Sequence, residues 1–147
     1  MLENKKIAVI GLGYVGLPLF VELSKKFETT GFDLSKKRIK DLQNAKDTTN
    51  EINSKKLFNL KDSFTDKRDK LKNQNVYIVT VPTPINKNKD PDLIPLKNAC
   101  NDIGKFLEKG NLVVFESTVY PGLTEEFCIP ILEEISGLKL NKDFMVG

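Results

Sequence analysis

Ile7-Ala8-Val9-Ile10-Gly11-Leu12-Gly13-Tyr14-Val15-Gly16-Leu17-Pro18 decides the fold of this chain. The run Ile7 to Ile10 is apolar without alternation, the pattern of a parallel strand covered on both faces. Gly11, Gly13 and Gly16 then give the spacing GxGxxG. The three glycines do different things. Gly11 turns the chain, Gly13 lets a pyrophosphate approach the backbone, and Gly16 lets the following helix pack on the strand. That helix offers unpaired N–H groups and a partial positive charge to an anion. The spacing alone also fits an ordinary strand-to-helix turn. A second strand over Thr29 to Phe32 ends at Asp33, 22 positions after Gly11. That is close to the roughly 20 expected for an acid that holds an adenosine ribose. Together these features point to a dinucleotide site. A nucleoside cofactor such as S-adenosylmethionine is the rival, since it also uses a glycine turn and a ribose-binding acid.

Outward from this stretch, strands and helices alternate. The pattern predicts a first strand over Lys6 to Ile10 and a helix over Tyr14 to Lys26 with Pro18 in its first turn, where a missing N–H costs little. Ser35 is placed to cap a helix reaching Asn44. The segment Ala45 to Asn75 is polar and reads as solvent-facing, with helices expected over Glu51 to Leu60 and Asp66 to Leu71 and a short strand over Ser63 to Thr65. Val76 to Val81 is the next clear strand, stopped by Pro82-Thr83-Pro84, because proline cannot donate to a ladder. A helix is expected over Leu93 to Glu108 and a strand over Leu112 to Phe115. A helix from Gly122 to Ser136, kinked at Pro130, and a last strand over Phe144 to Val146 complete the pattern. The fold class is therefore α/β, a Rossmann-type doubly wound parallel sheet with helices on both faces. In such a sheet the glycine turn, Asp33, the Pro82-Thr83-Pro84 loop and Ser117-Thr118 all meet at the carboxyl ends of the strands, where ligands bind.

Composition narrows the chemistry. The 147 residues suffice for one domain with a real core and are too few for two ordinary ones. A net charge of +3 is too small to argue for nucleic acid. Lys36, Lys37, Arg38 and Lys40 form one basic cluster, either a solvated helix face or a border of the ribose site. No apolar run reaches the length of a membrane span and no signal-peptide core follows the early lysines, so a cytoplasmic location is expected. The absence of histidine removes its acid–base chemistry and most zinc patterns, and no metal site is expected. Cys100 aligns with Leu96, Ile103 and Leu107, and Cys128 with Ile131, Leu132 and Ile135. Both cysteines are expected to pack rather than react.

Three motifs resemble the amino-terminal domain of the UDP-glucose/GDP-mannose dehydrogenase family. They are Gly11 to Pro18, Val81-Pro82-Thr83-Pro84, and Glu116-Ser117-Thr118-Val119-Tyr120-Pro121-Gly122. The Tyr-Pro-Gly ending is similar to the branch acting on UDP-N-acetylhexosamines. The resemblance covers essentially the whole chain. It implies NAD as cofactor and a parent enzyme that oxidises the C6 alcohol of a UDP-sugar to a carboxylate in two steps, for surface polysaccharide. UDP-N-acetylmannosamine and UDP-N-acetylgalactosamine are the expected substrates, and a homo-oligomer the expected assembly. Residue by residue, Tyr14 and Val15 lie at the glycine turn, Asp33 binds the ribose and Arg38 lies beside it. Thr83 and Thr118 approach the nicotinamide half, with Thr118 also helping to position water or substrate, and Ser117 is a further cofactor-binding residue. Ordinary roles for Thr83 and Thr118 would be a post-strand loop and a helix cap. The family's nucleophilic cysteine, active-site lysine, central helix and sugar-nucleotide domain fall beyond residue 147. Residues 1–147 are therefore expected to form the NAD-binding domain alone, inactive by itself. A stand-alone NAD-binding or regulatory module is the alternative.

Overall fold

A computed structural model describes residues 4–147. Among the described residues, six parallel strands form one sheet: β1 (Lys6–Ile10), β2 (Glu28–Phe32), β3 (Phe64–Thr65), β4 (Val76–Val79), β5 (Leu112–Phe115) and β6 (Met145–Val146). Their spatial order is β3-β2-β1-β4-β5-β6, and every pairing is parallel. The order reverses between β1 and β4, the point at which such sheets bind ligands.

The continuous apolar run of β1 follows from burial on both faces. Ala8 and Ile10 join a core that packs α4 (Ile94–Gly104) and α5 (Ile129–Ser136) on one side of the sheet. Val9 joins the other core, with Leu17, Phe20 and Val21 of α1 (Gly16–Leu23), Ile39 and Leu42 of α2 (Lys36–Gln43), and Leu57 of α3 (Ser54–Phe58). The doubly wound architecture expected from the strand–helix alternation is thus observed. Cys100 and Cys128 are both buried, as their apolar stripes require. Among the described residues, no helix is long and apolar enough to cross a membrane.

Several boundaries differ from expectation for local reasons. The first helix starts at Gly16, because Tyr14 and Val15 belong to the turn, and stops at Leu23, where the Ser24 hydroxyl donates back to the Phe20 carbonyl at 2.8 Å. Strand β4 stops at Val79 rather than Val81, since the Thr80 hydroxyl turns to the glycine turn and donates to the Gly11 carbonyl at 2.6 Å. The helix expected over Glu51 to Leu60 shrinks to Ser54–Phe58, started by the Asn53 side chain, which accepts the Lys56 N–H. Ser63 closes a short 3-10 turn, and residues Arg68–Leu71 form another in place of a helix from Asp66. The helix expected over Leu93 to Glu108 covers only Ile94–Gly104. The expected helix from Gly122 begins as a π-helical turn, Thr124–Cys128, and continues as α5. Pro130 falls in the first turn of α5, so the wide π turn takes the place of the expected kink. Strand β6 begins one residue later than expected, at Met145.

Candidate functional site

The turn after β1 is held rigidly from behind. Gly11 has φ +95°, a left-handed conformation, and a Cβ there would stand 2.9 Å from the Val81 nitrogen. The Gly11 N–H donates to the Phe32 carbonyl at 2.9 Å, tying the turn to β2. A Cβ on Gly16 would collide with the Gly11 carbonyl and the Thr80 hydroxyl. Gly13 is different. A Cβ built there meets no heavy atom within 4 Å, so its face of the turn is open to solvent. Among the described residues, no hydrogen bond engages the N–H groups of Gly13, Tyr14 or Val15. These donors, followed by the N-terminus of α1, form an anion cradle.

Asp33 stands at the end of β2, beside this cradle. Its Oδ2 accepts the Leu12 N–H and its Oδ1 the Ser35 N–H, both at 2.9 Å. These bonds fix the carboxylate and leave each oxygen with capacity for a further donor, as a pair of ribose hydroxyls requires. Arg38 is turned inward, unlike its exposed lysine neighbours Lys36, Lys37 and Lys40. Its Nε donates to the Leu12 carbonyl at 2.8 Å, and one terminal nitrogen donates to Asp47 at 2.9 Å and to Thr48 at 3.2 Å. The basic cluster therefore splits: the lysines are a solvated face, and Arg38 is a structural tie at the ribose border.

Asp47 was not legible as part of the site. Its side chain is fully buried, and its oxygens accept bonds from Arg38, the Thr49 hydroxyl and the N–H groups of Thr49, Glu51 and Ile52. Burial alone would raise its pKa, but the Thr49 hydroxyl, the Ile52 and Thr49 N–H groups and Arg38 outweigh it and hold the carboxyl well below the usual range. The segment expected to be merely solvent-facing is thus folded around one carboxylate, and Thr48 and Thr49 form a wall of the site.

The opposite wall comes from the loops after β4 and β5. Thr83 donates its hydroxyl to the Thr118 carbonyl at 2.7 Å, and Ser117 donates to the Val81 carbonyl at 2.7 Å. The two loops are cross-linked by these bonds. A cleft of about 570 Å³ results. It gathers Gly11, Gly13, Tyr14, Val15, Asp33, Arg38, Thr83, Ser117 and Thr118, together with Ser35, which the sequence marks only as a helix cap, and Glu116, which opens the third motif without an expected role. Gly16 alone among the expected residues lies outside it, buried behind the turn. Gly11, Asp33, Val81 and Pro82 also line a second, smaller slot of about 130 Å³ that continues toward α4.

Comparison with known proteins agrees with this geometry. Residues 5–147 match the model of the UDP-glucose/GDP-mannose dehydrogenase family, NAD binding domain. The chain is 51% identical to UDP-N-acetyl-D-glucosamine 6-dehydrogenase of Pseudomonas aeruginosa over 147 residues, which are 99% of this chain and 35% of that protein. It is 37% identical to UDP-N-acetyl-D-mannosamine dehydrogenase of Pyrococcus horikoshii, over 97% of this chain and 35% of the relative. The structure of GDP-mannose dehydrogenase from Pseudomonas aeruginosa, a ternary complex, superposes with a TM-score of 0.86 at 31% identity, over 95% of this chain and 34% of that one. The chain thus spans about a third of the length of the curated relatives it matches. An anion cradle beside a fixed carboxylate at the switch point of a doubly wound sheet, and a match across nearly every residue, lead to one conclusion: the chain belongs to the UDP-glucose/GDP-mannose dehydrogenase family and is an NAD-binding domain of it.

Proposed function

We propose that this chain is the cofactor-binding part of an enzyme that uses NAD to oxidise the C6 alcohol of a UDP-N-acetylhexosamine to the carboxylate, for surface polysaccharide. The observation that carries the reading is the open face of Gly13 over unengaged N–H groups, set beside the fixed carboxylate of Asp33. Those groups match the pyrophosphate and the adenosine ribose of one extended dinucleotide. The relatives named above supply the sugar class. The expected pair was the mannosamine and galactosamine derivatives; the 51% relative adds the glucosamine derivative and moves it to the front. NAD supplies the hydride acceptor. The chain's own part is to bind the pyrophosphate at the turn, hold the ribose at Asp33, and place Thr83, Ser117 and Thr118 beside the nicotinamide. Thr118, whose carbonyl is already engaged by Thr83, keeps its hydroxyl for water or substrate. The same reading carries a cytoplasmic location and a homo-oligomeric assembly.

The 147 residues alone are proposed to bind NAD weakly and to turn nothing over. The second oxidation needs a thiolate nucleophile. Cys100 and Cys128 are both buried in the core between the sheet and α4 and α5, and neither lines the cleft. The test has two arms. The isolated chain is mixed with NAD and UDP-N-acetylglucosamine, -galactosamine, -mannosamine or UDP-glucose, and absorbance of the reduced cofactor is followed. Turnover above a Gly13→Val control would overturn the inactivity. The protein encoded by the chain's natural reading frame is assayed in the same way; preference for UDP-glucose over all three acetylated sugars would overturn the substrate class.

A further inference from the structure

The smaller slot holds a group the cofactor cleft does not use. It runs from Asp33 between the end of β2 and the loop after β4, and reaches α4. Its walls are apolar: Ile10, Leu34, Val81, Pro82, Pro95 and Ala99. Among the described residues, Asp33 and Asp102 are its only ionisable lining. Asp102 is 4% exposed. Its Oδ1 accepts the Arg68 Nε–H at 2.8 Å, and the Lys105 ammonium lies 3.8 Å from the same oxygen. Both cations therefore sit on Oδ1. Oδ2 is buried and has no partner among the described residues.

A buried carboxylate oxygen without a donor is costly, and native structures leave few of them. Here Asp102, which carries the orphan oxygen, lines a narrow apolar slot that opens on the ribose-binding acid. A flat heterocycle with a hydrogen-bond donor on its far edge satisfies both features. An acceptor on that edge would face the carboxylate and be repelled. A phosphate would meet apolar walls and two carboxylates, so the slot takes a base.

We infer that Asp102 selects the base of the dinucleotide: its Oδ2 accepts a hydrogen bond from the exocyclic amino group of adenine seated between Pro82 and Ala99. The inference rests on the reading of the cleft as an NAD site. Asp102 is then a specificity residue, and its ion pair with Arg68 offsets the burial of its charge.

The probe is nicotinamide hypoxanthine dinucleotide, in which the amino group is replaced by a carbonyl oxygen. Calorimetry with the 147-residue chain measures its affinity and that of NAD. Wild type is expected to bind the hypoxanthine form about tenfold or more weakly, the discrimination typical of a buried polar group left unpaired. Asp102→Asn can donate to the carbonyl and should bring the ratio to one or below. Arg68→Gln removes the ion pair but keeps the carboxylate, so it should lower stability and retain the wild-type preference. An equal ratio in wild type and Asp102→Asn, with NAD still bound, would overturn the role of Asp102 while leaving the NAD site standing. No NAD binding by wild type would overturn the site reading, and the inference with it. Loss of the preference in Arg68→Gln, with the fold intact, would assign the discrimination to the ion pair rather than to Oδ2 and so overturn it too.

Discussion

Gly13→Val separates the binding role of the glycine turn from its folding role. The backbone of Gly13 is not left-handed, and a Cβ there touches nothing within 4 Å, so the folded chain can accept the side chain. The expected change in Tm is within about 4 °C, what 1 kcal/mol produces in a domain of this size. The ligand sees a different surface. The valine methyls would occupy the space through which a pyrophosphate reaches the Gly13, Tyr14 and Val15 N–H groups. Losing two charge-assisted bonds, each contributing about 1.5–3 kcal/mol, weakens binding by roughly 10²- to 10⁴-fold. Gly16→Val is the contrast, because its Cβ would collide with the Gly11 carbonyl and the Thr80 hydroxyl inside the folded turn. Circular dichroism melting and NAD titration of both variants test the pair. The reasoning is refuted if Gly13→Val binds NAD as tightly as wild type. It is also refuted if Gly16→Val melts like wild type, since the packing argument for that turn would then be wrong.

NAD should bind more tightly than NADP: a 2′-phosphate would stand against the Asp33 carboxylate, and Arg38 holds its Nε and one terminal nitrogen on Leu12, Asp47 and Thr48, with the other terminal nitrogen buried. Equal or tighter NADP binding by calorimetry would count against this. Asp47→Ala should cost about 3 kcal/mol in urea denaturation, as expected when a buried partner of Arg38 is removed, and should weaken NAD binding through loss of the Thr48–Thr49 wall. Because the folded-state pKa of Asp47 is depressed, its contribution is fully present above the ordinary carboxylate value and is lost progressively as pH falls from there toward the depressed folded-state value. Stability of wild type relative to Asp47→Asn should therefore shrink below about pH 4, and a difference that stays constant down to pH 2 would refute the linkage.

Much of the fold was legible because its signals are local. An unalternated apolar strand, three glycines at fixed spacing and an acid at the end of the next strand each follow from neighbours in sequence. What escaped depends on distant partners. Asp47 lies in a polar segment with no periodicity, and only the inward turn of Arg38 gives it a role. Asp102 is a charged residue in a helix that also carries Lys97, Asn98 and Asn101, so sequence alone places it on the surface with them; Arg68, thirty-four positions earlier, lets it be buried. Strand and helix ends shifted where side chains competed with the backbone, at Ser24, Asn53 and Thr80. The convergence of Asp33, Thr83, Ser117 and Thr118 on one rim was readable from topology alone. The small slot beside them was not, because its depth is set by how α4 packs.

The hydroxyls of Thr80, Thr83 and Ser117 each donate across from one strand's end to a carbonyl of another segment, at 2.6–2.7 Å. These links join the turn after β1 to the end of β4, and the loop after β4 to the loop after β5. The entropic cost of ordering that rim therefore falls on folding, not on association. A dinucleotide arriving at such a surface meets a template rather than a set of loose loops. Its capture becomes a single bimolecular encounter, with a rate linear in cofactor concentration and no slow isomerisation behind it.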